Sequence, residues 1–169
     1  TTEELEEMKA AVHEAMENVA FGISTGLKYV PGSFSKIDEV IALSKMAAEA
    51  GGIYTSHLRE EGLGLLEGVS EAIEIGREAN IPIILTHHKA IGRPMWGAST
   101  KTLAMVDSAR ALGIDVMMDQ YPYTASSTGL SVLIPTWAMA GGQEEFKKRV
   151  NDPATRKKIK DEIMFNIEY

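Results

Sequence analysis

The stretch "IPIILTHHK", residues 81–89, decides the fold: an apolar run of strand type that ends in two histidines and a lysine. Thirty residues earlier "GGIYTSHLRE", residues 51–60, is a second apolar run, ending in His57. Strand-like runs begin near Ile23, Ile53, Ile83 and Ile114, at intervals of 30, 30 and 31 residues.

Helical patterns fill the intervals. Ile37, Val40, Ile41, Ser44, Ala47 and Ala48 mark one apolar face, Leu65, Leu66, Val69, Ala72, Ile73 and Gly76 another, and Leu103, Val106, Ala109 and Leu112 a third. Gly51, Asn80 and Gly113 suit the left-handed C-terminal cap, and a strand follows each within a few residues. A further amphipathic helix through Leu5, Met8, Val12, Ala15, Met16 and Val19 leads into the first strand, with Thr1 and Glu4 spaced as a capping box. Helix and strand alternate four times, which predicts an α/β fold with about four parallel strands, since a parallel neighbour is reached by a crossover. After Tyr123 the pattern breaks into the small-residue loop "TASSTGLS" and the interrupted "VLIPTWAMAGG". Helices are expected at 143–151 and 153–166, so 131–169 reads as an appended helical segment.

Composition narrows the function. The chain has 169 residues, 44% hydrophobic and 24% charged, enough for a real core. A net charge of -7 argues against nucleic acid, and the one dense basic run, Lys147 to Lys160, is interleaved with acids as a solvated face. No apolar stretch is long enough to span a bilayer, so no membrane partner is expected. The absence of cysteine excludes thiolate metal sites within the chain.

In parallel α/β proteins ligands gather at the C-terminal ends of the strands. His57 and His87 stand one repeat apart, hence at equivalent ends of adjacent strands about 4.8 Å apart, where two imidazoles can share a metal. Alternation puts Ile53, Thr55 and His57 on one side, with Ile83, Leu85, His87 and Lys89, and turns His88 away. Two unrelated strand-end histidines is the alternative. Lys89 adds a fixed positive charge, and Tyr121 and Ser127 add hydroxyls. Arg59 and Glu60 read as a pair bracing the loop after His57, Trp96 as packing on a pocket wall, and Asp119 as the one aspartate ending a strand.

The segments "GISTGLKYVPG", "GGIYTSHLREEG", "IPIILTHHKAIG", "MWGAS" and "DQYPYTASST", in this order over about residues 20–130, resemble the N-acyl-D-amino-acid deacylases, the D-aminoacylase branch of the amidohydrolase superfamily. That resemblance implies a cytoplasmic, zinc-dependent (β/α)8 TIM barrel that hydrolyses a small N-acyl-D-amino acid to a carboxylate and a D-amino acid. Residues 1–130 would be a partial barrel carrying strands four to seven, and 131–169 a helical insertion. His57 and His87 would be zinc ligands ending strands five and six. Lys89, Tyr121 and Ser127 match positions that hold the substrate carboxylate, and Tyr29 lines the same pocket.

Other family features have no counterpart: there is no His-x-His, no cysteine, and no general-base aspartate of a last strand. The chain therefore reads as an internal fragment, inactive alone, with the base outside it. The alternatives are a non-catalytic metal- or ligand-binding α/β fragment and a complete small open-sheet protein. A four-stranded piece would leave edge strands and inner residues such as Ile53, Leu85 and Met117 uncovered, which predicts a homo-oligomer.

Overall fold

The structure is a computed structural model and describes residues 1–168. Four strands, β1 (Gly22–Gly26), β2 (Ile53–His57), β3 (Ile83–His88) and β4 (Val116–Gln120), form one parallel sheet in the order β1-β2-β3-β4. Helices α1 (Thr2–Glu17), α2 (Ile37–Glu49), α3 (Leu65–Ala79) and α4 (Ser99–Ala111) alternate with them, the arrangement of a partial (β/α)8 barrel. Short helices α5 (Thr136–Met139) and α6 (Gly142–Asn151) and the longer α7 (Pro153–Glu168) follow.

Local chemistry sets the boundaries. Thr1 and Glu4 form a reciprocal capping box on α1. Asn80 closes α3 at φ 51°, while Gly51 (φ 75°) and Gly113 (φ 84°) follow α2 and α4, so each helix turns back where a left-handed residue stands. The sequence places the α4 face differently from the fold. Thr102, Val106 and Ala109 are buried at helical spacing, whereas Leu103 and Leu112 point outward.

The sheet buries one face beneath the helices. Tyr54, Ser56, Ile83, Leu85 and Val116 are almost wholly enclosed, and Ile83 packs on the bare backbone of Gly76 in α3, where an added Cβ would lie 2.7 Å from it. Ile53, Thr55, His57, Ile84 and Met117 lie on the opposite, open face. This corrects the expectation for Leu85. It registers with Ser56 and faces the helices, not the inside of the curve.

Candidate metal and substrate site

The loops after β1 to β4 meet around a cavity of about 450 Å³ lined by Tyr29, His57, His87, Lys89, Tyr121 and Ser127, with Glu60 and Glu61 beside them. All six residues singled out by the sequence reach this one space. His87 reaches it by a route that alternation does not describe.

His57 comes off the open face of β2 as expected. His87 follows Leu85 by two residues, and regular alternation would send it into the helices with Leu85. A bulge intervenes: Leu85 registers with Met118 and His88 with Gln120, so Thr86 and His87 oppose Asp119 alone. His87 takes φ 43°, a left-handed conformation uncommon outside glycine, and its ring swings across to His57. Nδ1 of His57 then lies 2.8 Å from Nε2 of His87, with ring centroids 4.5 Å apart. Asp119 accepts from the His87 amide at 2.5 Å and so holds the bulge rather than standing free as an acid or ligand. His88 turns away, as the sequence predicts, and its Nε2 lies 2.8 Å from the Thr102 hydroxyl.

Glu61 is the residue that sequence reasoning missed. Only 5% exposed, it lies with its carboxylate 3.6 Å from Nε2 of His57 and 3.3 Å from Nδ1 of His87. Ligand-type atoms of His57, Glu61 and His87 all fall within 4.8 Å of one another. The signal available was an acid four residues beyond His57, inside a loop where no periodicity distinguishes it from its neighbour Glu60. Those two glutamates do different work. Lys28 binds Glu60 at 2.6 Å, and Glu60 accepts the amides of Glu61 and Gly62 at 3.0 and 2.9 Å.

Arg59 does not pair with Glu60. It makes a forked contact with Glu71 at 2.8 to 3.0 Å and donates to the carbonyls of Ser33 and Ser35, tying the loop after β1 to α3. Trp96 is no pocket wall: it is 71% exposed, with Arg93 over its ring.

Lys89 is already engaged. Its Nζ is 2.5 Å from Glu61, 2.8 Å from Nδ1 of His87 and 3.0 Å from the His87 carbonyl, and 5.0 Å from the centre of the Tyr121 ring. Tyr121 stands edge-on to His87 with centroids 6.1 Å apart, Tyr29 lies 4.9 Å from the His57 ring and bonds Thr128, and Ser127 sits on the exposed rim. Burial is the main influence holding His57 below the usual imidazole value; Glu61 opposes it, and His87, Lys89 and Lys28 reinforce it. The neutral imidazole this favours is the form that ligates metal. Burial would raise Glu60, yet Lys28 and the two amides hold it below the ordinary carboxylate value.

A D-aminoacylase of Alcaligenes xylosoxydans xylosoxydans is 40% identical over 130 residues, covering 77% of this chain and 27% of the relative. An N-acyl-D-glutamate deacylase of the same organism is 42% identical over 128 residues, covering 76% and 26%. Over about three quarters of its length the chain is similar to N-acyl-D-amino-acid deacylases. It spans about a quarter of the length of the deacylases it matches. No family model matches it. The crystal structure of a D-aminoacylase, defining a novel subset of amidohydrolases, superposes with a TM-score of 0.72 at 36% identity, over 75% of this chain and 26% of that one. An N-acyl-D-glutamate deacylase from Bordetella bronchiseptica, complexed with zinc and a phosphonate mimic of the tetrahedral intermediate, gives 0.71 at 39% identity, over 73% and 26%. Among the described residues no helix is long and apolar enough to cross a membrane.

Proposed function

We propose that this chain supplies part of the zinc site and of the substrate pocket of a cytoplasmic N-acyl-D-amino-acid deacylase, with residues 1–130 as the barrel portion and 131–169 as a helical segment beside the cavity. The observation that carries the reading is the pair of facing nitrogens, Nδ1 of His57 and Nε2 of His87, at 2.8 Å. Two imidazole nitrogens sharing a tetrahedral zinc at about 2.0–2.1 Å each stand roughly 3.3 Å apart, so a small rotation of either ring admits the ion. The two imidazole nitrogens suit zinc, a borderline cation that histidine binds readily. A bound zinc supplies an acidified water and polarises the scissile carbonyl.

The chain's own residues bind and orient the substrate. Lys89, Tyr121 and Tyr29 flank the histidines and Ser127 lines the same cavity, where an ammonium and three hydroxyls can fix a free carboxylate. With the carboxylate held there, the amide of the N-acyl-D-amino acid lies toward His57 and His87. Hydrolysis breaks its C–N bond, joins water oxygen to the acyl carbon, and delivers a proton to the departing amine. Among the described residues no acid is placed for that transfer: Asp119 holds the His87 amide, and Glu60 and Glu61 are ion-paired. The family resemblance implies that the general base is an aspartate outside this chain, a role worth about a hundredfold to ten-thousandfold.

Zinc binding to the 169-residue chain, measured by equilibrium dialysis, tests the reading. Weak binding abolished by His57→Ala and by His87→Ala is expected, with no deacylation by the chain alone. Zinc binding untouched by both substitutions would sink the proposal.

A further inference from the structure

Each histidine of the pair has a near nitrogen, facing its partner, and a far one. Both far nitrogens face the same carboxylate: Nε2 of His57 lies 3.6 Å from Oε2 of Glu61, and Nδ1 of His87 lies 3.3 Å from Oε1. We infer that Glu61 is a positioning residue, one carboxylate that orients both imidazoles from behind so that Nδ1 of His57 and Nε2 of His87 present lone pairs to a single cation. The inference rests on the metal reading above.

An ionised carboxylate only accepts hydrogen bonds, so beside two neutral imidazoles it favours the tautomers that carry N–H on the far nitrogens. The near nitrogens are then bare, as ligation demands. Metal-binding histidines commonly hand their second N–H to a carboxylate or carbonyl. Here one buried group serves two rings. Its position on the far side also separates it from a ligand, because its oxygens meet Nε2 of His57 and Nδ1 of His87 rather than the space between the rings.

Glu61 is itself fixed from two directions. Its amide donates to Glu60 at 3.0 Å, and its carbonyl accepts the Ile91 amide at 2.8 Å, so it bridges the loops that follow β2 and β3. At 5% exposure an uncompensated carboxylate would be costly, and Lys89 compensates it at 2.5 Å. Nδ1 of His87 also lies 2.8 Å from the Lys89 ammonium, which has no acceptor to offer it, so the proton on Nδ1 requires Lys89 to draw back onto Glu61 and the His87 carbonyl, leaving one N–H for the cavity. Glu61 thus sets the direction of the rings and the reach of the lysine together.

Competition titration of zinc sulfate against a chelator, and long-range proton–nitrogen spectra of the histidine rings in ¹⁵N-labelled chain, test this. Glu61→Gln should weaken zinc roughly 10- to 100-fold, keep cooperative melting, and convert the ring signals from one tautomer each to a mixture. Glu61→Asp should recover part of the affinity. Wild-type affinity with unchanged ring signals in Glu61→Gln overturns the inference. So does loss of zinc as complete as in His57→Ala, which makes Glu61 a ligand. Zinc binding unaffected by His57→Ala and His87→Ala removes the metal reading instead; the ring signals of Glu61→Gln without zinc then still decide the orienting role.

Discussion

The His87 amide and the Asp119 carboxylate, 2.5 Å apart, pin the bulge that carries the site. Without that acceptor the extra residue of β3 has no reason to hold its left-handed turn, and the His87 ring loses its heading toward His57. Asp119→Ala is expected to lower stability by about 1 kcal/mol, below the roughly 1.5–3 kcal/mol of a hydrogen bond to a charged group because the aspartate is exposed. Zinc affinity should fall about tenfold or more through displacement of His87. Asp119→Asn, which keeps an acceptor, should retain most of both. Thermal melts with parallel zinc titrations check this, and unchanged zinc affinity in Asp119→Ala would show that the bulge holds itself.

Gly68 sits where α3 passes beneath the loop that bears Glu60 and Glu61. A Cβ there would stand 2.7 Å from the Glu60 carbonyl oxygen and 3.3 Å from its nitrogen, both backbone atoms with little freedom to yield. Gly68→Ala gains about 1 kcal/mol in helix propensity but forces the loop off the helix, for a net loss of about 1–3 kcal/mol. Denaturant unfolding should report that loss together with weakened zinc binding. A stabilised variant with intact zinc binding would contradict the close approach.

The fold was legible because its repeat is regular. Ile23, Ile53, Ile83 and Ile114 mark the strands, and left-handed caps such as Asn80 mark where helices stop. His57 was placed correctly by alternation. His87 was brought to the right partner for a wrong reason, since alternation from Leu85 points it into the helices and only the bulge returns it. A bulge arises from the pairing of two strands, and a single strand's pattern does not encode it. Glu61 and the Arg59–Glu71 fork were illegible for a related cause. Loop side chains choose partners by the packing of loops from several strands, and "REEG" contains no sign of which acid turns inward.

The two ends of the sheet predict an assembly. β1 and β4 are its edge strands, and on the open face Met117 is 42% exposed, with Phe21 beside β1 at 91%. Unpaired strand edges beside uncovered apolar surface favour pairing with another copy. We expect the chain to form a homodimer or larger oligomer, read by light scattering at micromolar concentration. A clean monomer across that range would rule it out.

Tyr54 predicts how stability responds to alkali. Its side chain is fully enclosed beneath the helices, with its hydroxyl 2.7 Å from the Thr25 hydroxyl. Burial pushes the phenol above its ordinary value of 10.0, with the hydrogen bond to Thr25 opposing. A group raised in the folded state contributes stability that is whole below its unfolded pKa and is lost as pH climbs through the folded one. Above about pH 10 the unfolded chain gives up this proton while the folded chain keeps it, so unfolding becomes easier with each step in pH. Tyr54→Phe removes the ionisation. It should cost about 1 kcal/mol at neutral pH, from the lost hydrogen bond, and then fall less steeply than wild type between pH 9 and 11. Urea unfolding of both proteins across that range measures the two slopes. Parallel slopes would mean that Tyr54 is not the group that titrates.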